Sequence, residues 1–184
     1  MRGELLLLLA DGLAILCITR CLLQWAQLDA AHPLHAFSRQ TTEWLVKPLR
    51  KAAPPQRWDY ACLLAAGLLY YVVYMLITWL SLPEGFSLKL VGINILFAVL
   101  AMLKAAAYVL LIGLVIRMLL SLRAPYSILN ATLHRIYTPL LKPFAFLRAG
   151  RYDFSGSLLA LALWWWLSAV LPQLTSRINL WLLQ

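Results

Sequence analysis

Charge is scarce in this sequence. Only 12% of its 184 residues are Asp, Glu, Lys or Arg, about half the share a soluble domain carries. Acidic residues are the scarcer kind, 7 against 16 basic ones, for a formal net charge of +9. With 63% hydrophobic residues and a mean hydropathy of +0.79, this excludes a disordered tail and an ordinary water-soluble enzyme. Cysteine is also sparse: Cys17, Cys21 and Cys62 all fall in apolar runs, so no disulfide scaffold is expected. Cys17 and Cys21 stand one helical turn apart, but no His, Asp or third Cys lies near them in sequence, and they read as small packing residues rather than metal ligands. Enzyme motifs are missing too: there is no G-x-S-x-G, Walker A, H-E-x-x-H or paired-carboxylate site. His32, His35 and His134 sit in loops without metal-ligand spacing. No catalytic residue, cofactor or metal is therefore expected. The basic residues are spread along the chain without a nucleic-acid motif, and no bound nucleic acid is expected either.

What is abundant is long apolar sequence. A membrane helix needs roughly 20 apolar residues, and four segments qualify: 5–25, 60–82, 102–122 within Leu88–Leu122, and 154–171, the last closed by Pro172. Each is too long and continuous for a strand. The expected fold is an all-α membrane protein with four transmembrane helices. Met1-Arg2 and Leu5–Ala10 could open a signal peptide, but Asp11 interrupts that core and the apolar character resumes from Ile15 to Leu23, which favours a retained span. Pro83-Glu84-Gly85 marks a turn. The stretch 86–101, apolar except for Lys89, is either an interfacial helix or the outer part of a long third helix.

Lys and Arg concentrate in two connections. Arg39, Lys47, Arg50, Lys51 and Arg57 lie between spans one and two, and Arg123, Arg135, Lys142, Arg148 and Arg151 between spans three and four. The positive-inside rule puts both connections in the cytoplasm and, with four spans, both termini on the periplasmic side of an inner (plasma) membrane. Basic loops there would face anionic lipid headgroups.

The halves match. Half one contains Arg20-Cys-Leu-Leu-Gln24, His32-Pro33, Leu45-Val-Lys47-Pro48 and Arg57-Trp-Asp59-Tyr60. Half two contains Arg117-Met-Leu-Leu-Ser121, Ala124-Pro125, Leu140-Leu-Lys142-Pro143 and Arg151-Tyr-Asp153-Phe154, in the same order and at similar spacing. Each half is span, amphipathic loop helix, span, so the expected repeats are parallel: 1–82 with loop 33–51, and 102–184 with loop 126–148, joined by 83–101. On these motifs the chain resembles the YggT family, also called YlmG-related, of small bacterial and plastid membrane proteins. The likeness rests on the Arg near the end of each odd span, Pro33 early in the loop, the proline segment ending at Pro48 and, in half two, Pro139 with Pro143, and Asp59 and Asp153 opening the even spans.

In loop two, Leu129, Leu133, Ile136, Leu140 and Phe144 make an apolar helical stripe, and in loop one Leu34, Phe37, Trp44 and Leu45 do similar work. Such a stripe faces lipid in the headgroup plane or packs on the protein's own spans. The residues expected to touch lipid or a partner are Phe37, Trp44, Arg50, Lys51, Leu133, Ile136, Leu140 and Lys142. Pro48, Pro139 and Pro143 should interrupt the loop helices and bend the chain back to the membrane. Asp59 and Asp153 should cap the helices that follow, with flanking aromatics at the interface. Charges within spans are costly and draw attention. Arg20 and Arg117 can snorkel, with Gln24 and Ser121 one turn on, or meet an anion or headgroup. Asp11 matches Tyr108 in the repeat register, and Lys104 lies about 6 Å further out. A Lys stem spans that distance, so an Asp11–Lys104 pair is expected between spans one and three; the rival reading has Asp11 lining an ion path.

Two functional readings follow. In the first, basic amphipathic loops bind the inner leaflet and a cytoplasmic partner, and the family resemblance implies a role in division, envelope or nucleoid organisation. In the second, a homo-oligomer forms a permeation or osmotic-adaptation component, and the resemblance implies links to osmotic stress and potassium handling. Four spans with few polar groups make a poor pore alone.

Overall fold

The computed structural model describes residues 2–29, 32–51, 59–81, 88–123, 126–143, 148–149, 152–153 and 155–182. The helices are α1 (Arg2–Trp25), α2 (Pro33–Leu49), α3 (Tyr60–Ser81), α4 (Leu88–Arg123), α5 (Ile128–Leu141), α6 (Ser155–Trp165) and α7 (Leu171–Leu182). A π-helical turn, Trp166–Val170, joins α6 to α7. Strands β1 (Arg148–Ala149) and β2 (Tyr152–Asp153) form a short antiparallel ladder, Arg148 opposite Asp153. Among the described residues, four helical segments are long and apolar enough to cross a membrane: Gly3–Trp25, Tyr60–Leu80, Lys89–Ser121 and Gly156–Trp181. The turn at 83–85 and the motif residues Arg57, Trp58, Ala124, Pro125, Phe144, Arg151 and Phe154 lie outside the described residues.

The chain divides into two compact units, Met1–Trp25 with Ala30–Ala106, and Ala26–Asp29 with Ala107–Gln184. In the first, α1 packs along α3 through small residues. Ala10, Ala14, Cys17 and Cys21 of α1, and Ala61, Cys62, Ala65 and Ala66 of α3, are all buried. Side chains this small let two backbones approach, which is how helices associate where lipid removes the hydrophobic drive. The three cysteines are free and belong to this seam. From α4, the stripe Asn94, Ala98, Ala101 and Ala105 is buried as well. Asn94 bonds Thr78 Oγ1 at 3.2 Å and Met75 Sδ at 3.1 Å on α3.

Local signals explain the helix ends. His32 Nδ1 accepts from Leu34 N at 3.3 Å to cap α2, and Pro33 occupies its first turn, where no donor is needed. Ser127 Oγ caps α5 by accepting from Asn130 N at 3.1 Å. Past the end of α1, Gln27 takes a left-handed conformation (φ 59°) that stops further helix.

Two expectations change, and one of two open alternatives is chosen. Pro48 and Pro139 do not interrupt their helices but lie inside α2 and α5, near the ends at Leu49 and Leu141. So close to a C-terminus, a missing donor costs one bond and little else. Pro143 does lie beyond α5. Pro172 does not close the fourth span, because α7 runs through it to Leu182. The π turn just before it explains why: Leu171 N–H bonds to Trp166 O, five residues back, and this wider register relieves the clash between a proline ring and the preceding turn. Finally, α4 is one helix from Leu88 onward, so residues 88–101 continue into the third span.

Candidate functional site

The first unit holds two polar clusters inside an otherwise apolar fold. One lies within the spans. Asp11 of α1 accepts from Lys104 Nζ of α4 at 2.6 Å on Oδ2, and from Tyr70 Oη of α3 at 2.7 Å on Oδ1. The expected Asp11–Lys104 pair is therefore present; Tyr70, fully buried, is the partner that sequence reasoning missed. Its signal was available only in retrospect, as a tyrosine amid apolar residues whose hydroxyl needs a partner when buried. Both carboxylate oxygens of Asp11 are engaged, and the pair ties α1, α3 and α4 at one level.

The second cluster gathers where α1, α2 and the start of α3 meet. Arg20 is 1% exposed and donates to Thr42 Oγ1 and Glu43 Oε2, both at 2.9 Å. Asp59 is completely buried, with Oδ2 3.2 Å from Arg50 Nη2 and 3.9 Å from Arg20 Nε. Arg50 also lies 3.7 Å from Glu43. Two arginines and two carboxylates thus neutralise one another, and the low dielectric makes each contact stronger than in water. Burial would raise the Glu43 carboxyl, but the hydrogen bond from Arg20 and the charges of Arg20, Arg50 and Arg39 outweigh it and hold it below its ordinary value. Arg20 had been expected to snorkel or meet an external anion; its guanidinium instead turns inward to α2 and Asp59. Asp59 was expected to cap α3 with its side chain. Its backbone carbonyl accepts from Cys62 N at 3.0 Å, while its carboxylate serves the arginines.

Around this cluster α2 presents three faces. Ser38, Thr42 and Val46, one residue per turn, are buried. Leu34, Phe37 and Trp44 are exposed, Phe37 and Trp44 by 59% and 63%. Arg39, Gln40 and Lys47 occupy the remaining face, also exposed. The small polar stripe therefore packs on the protein and the aromatic stripe does not. Pro33, Pro48 and Lys51 are exposed as well.

Loop helix α5, in the second unit, does the opposite. Leu133 (7% exposed) and Ile136 (4%), expected to touch lipid or a partner, are buried with Thr132, Tyr137 and Leu141. Leu140 and Lys142 stay exposed. Tyr137 Oη donates to Leu110 O at 2.5 Å, over Gly113, and its ring lies 6.0 Å from the Arg117 guanidinium. Burial raises the Tyr137 phenol, with Arg117 opposing. Arg135 donates to Ala26 O at 3.1 Å. Asp153 sits in β2, before α6 opens at Ser155.

No group of three or more His, Cys, Asp or Glu able to hold a metal ion occurs among the described residues. The spans and their buried ion pairs define a multi-pass α-helical membrane protein. Over residues 3–80, from α1 through nearly all of α3, the chain matches the CCB3/YggT family model, so the resemblance read from its motifs holds over that segment. No curated protein and no solved structure matches the chain.

Proposed function

We propose that this protein organises the cytoplasmic face of the inner membrane through α2, which lies in the headgroup plane. The observation that carries this reading is the division of α2 into three faces. A helix that fixes one stripe to its own spans and leaves Leu34, Phe37 and Trp44 uncovered, next to Arg39 and Lys47, has the pattern of an interfacial helix: aromatics in the acyl boundary, cations at the phosphates. The Arg20–Glu43 bond holds α2 in that orientation. In this reading both basic loops are cytoplasmic, both termini are periplasmic, and a division or envelope partner docks on α2. The Arg117–Tyr137 contact sits at the positions of half two that match Arg20 and Thr42, which supports a doubled plan. The permeation alternative needs Asp11 free for an ion, and its engagement by Tyr70 and Lys104 favours the organising role.

The test uses the whole protein reconstituted in vesicles of phosphatidylcholine and phosphatidylglycerol. An environment-sensitive dye on Phe37→Cys should be quenched by nitroxides near the headgroups and not by nitroxides at the bilayer centre, and the vesicles should show no potassium flux. In cells, Phe37→Ser with Trp44→Ser should disturb envelope or division morphology at unchanged protein level. Potassium flux abolished by Asp11→Asn, or a dye at residue 37 reached only by aqueous quenchers, would overturn the proposal.

A further inference from the structure

The Asp11–Lys104 pair is not sealed by its own chain. The Asp11 side chain is 22% exposed and that of Lys104 31%, although the two meet at 2.6 Å. The pair is also deep. Asp11 bonds Tyr70, which lies ten residues into α3 and so about 15 Å along it, half of a hydrocarbon core roughly 30 Å thick. At that depth no water or headgroup takes up spare hydrogen bonds, and ionisable groups face protein or a cavity.

Both partners have bonding capacity to spare. Among the described residues Lys104 Nζ has Asp11 as its one acceptor, and an ammonium brings three N–H donors. Asp11 accepts one bond on each oxygen, and each oxygen has a second lone pair. The surface next to the pair is open. Gly12 is exposed, with nothing within 4 Å of where its Cβ would lie. Leu8, a turn before Asp11 on α1, and Leu103, directly before Lys104 on α4, are exposed too.

A group that completes this pair must bring an acceptor to Lys104 and a donor to Asp11 at one depth. A two-fold axis along the membrane normal preserves depth and makes the pair its own complement, since each residue then meets the opposite charge in the other copy. We propose that this face of α1 and α4 joins two copies of the chain. Asp11 of each copy lies against Lys104 of the other, in a ring of four charges, and α1 of each packs on α4 of the other. The missing side chain at Gly12 lets those helices come close. An acyl chain offers neither donor nor acceptor. This interface is independent of the role proposed for α2.

The experiment uses full chains carrying a donor or an acceptor dye, reconstituted together in vesicles of phosphatidylcholine and phosphatidylglycerol. Energy transfer is followed as added lipid dilutes the protein, and the wild type should show a monomer–dimer equilibrium. Gly12→Leu fills a space that its own copy leaves empty and should weaken association about tenfold, the scale of one or two interhelical hydrogen bonds. Asp11→Lys and Lys104→Asp each set like charges side by side within one copy, and each alone should accumulate poorly and stay monomeric. Expressed together they should restore each other's accumulation and form a mixed dimer, because each supplies the sign the other lacks. A bond confined to one copy gives no such restoration. A wild type that is monomeric at every dilution overturns the proposal, as does a dimer that Gly12→Leu leaves unchanged or a pair of charge variants that do not restore each other. Gly12→Cys reacting with a membrane-impermeant maleimide would put a water-filled crevice at the pair, and overturns it as well.

Discussion

Replacing Arg20 by Met tests whether the buried ion cluster holds α2 in place. Met fills a similar length without charge or donors. Thr42 and Glu43 each lose a 2.9 Å bond, and Asp59 keeps only Arg50, at 3.2 Å. Removing one partner of a buried pair costs ~3–5 kcal/mol, because the other charge stays buried. Since Asp59 retains one arginine, the cost belongs at the lower end, about 3 kcal/mol. Glu43 is 35% exposed and turns to solvent, so its share is within ~1 kcal/mol. The assay is SDS-induced unfolding in mixed micelles followed by circular dichroism, with trypsin cleavage after Arg39 as a local probe of α2. The variant should unfold at lower SDS, and its α2 should be cut faster. Combining Arg20→Met with Asp59→Asn should cost at least ~0.5 kcal/mol less than the sum of the single changes, as coupled neighbours do. An unchanged midpoint and cleavage rate in Arg20→Met, or strict additivity in the double variant, would refute the reasoning.

Three further outcomes are expected. The Glu43 carboxyl titrates below its ordinary value of 4.5, so its stabilising effect is complete above that pH and is lost as pH falls through the lower folded value. The unfolding midpoint should therefore drop below pH 4.5, and Glu43→Gln should lack that part of the dependence. Asp11→Asn and Lys104→Met should each lower stability by about 2–3 kcal/mol by leaving a charge without its partner inside a span. The combined variant should recover much of the loss in the same unfolding assay; full stability of both single variants would remove the pair as a support of the fold. Gly113→Ala would place a Cβ 2.5 Å from Tyr137 Oη. It should cost ~1–3 kcal/mol by overpacking, and Tyr137→Phe in that background should relieve part of the strain.

The spans were legible because they depend on a local quantity, the length of apolar chain set against the thickness of a bilayer. The Asp11–Lys104 pair was legible too, since repeat register and helix rise place the two residues within reach of a Lys stem. The other polar contacts were not. Arg20 meets Thr42, Glu43 and Asp59 across 22 to 39 positions of chain, and nothing in its own neighbourhood announces them. The loop helices are the sharpest case. Periodicity shows that α2 and α5 each carry an apolar stripe, but α2 leaves Phe37 and Trp44 outside and packs Ser38 and Thr42, while α5 buries Leu133 and Ile136. In water, hydrophobicity would decide which face turns inward. Beside a bilayer both sides of a helix can be apolar, so close fit and hydrogen bonding between neighbouring helices decide instead, and these exist only once the chain has folded.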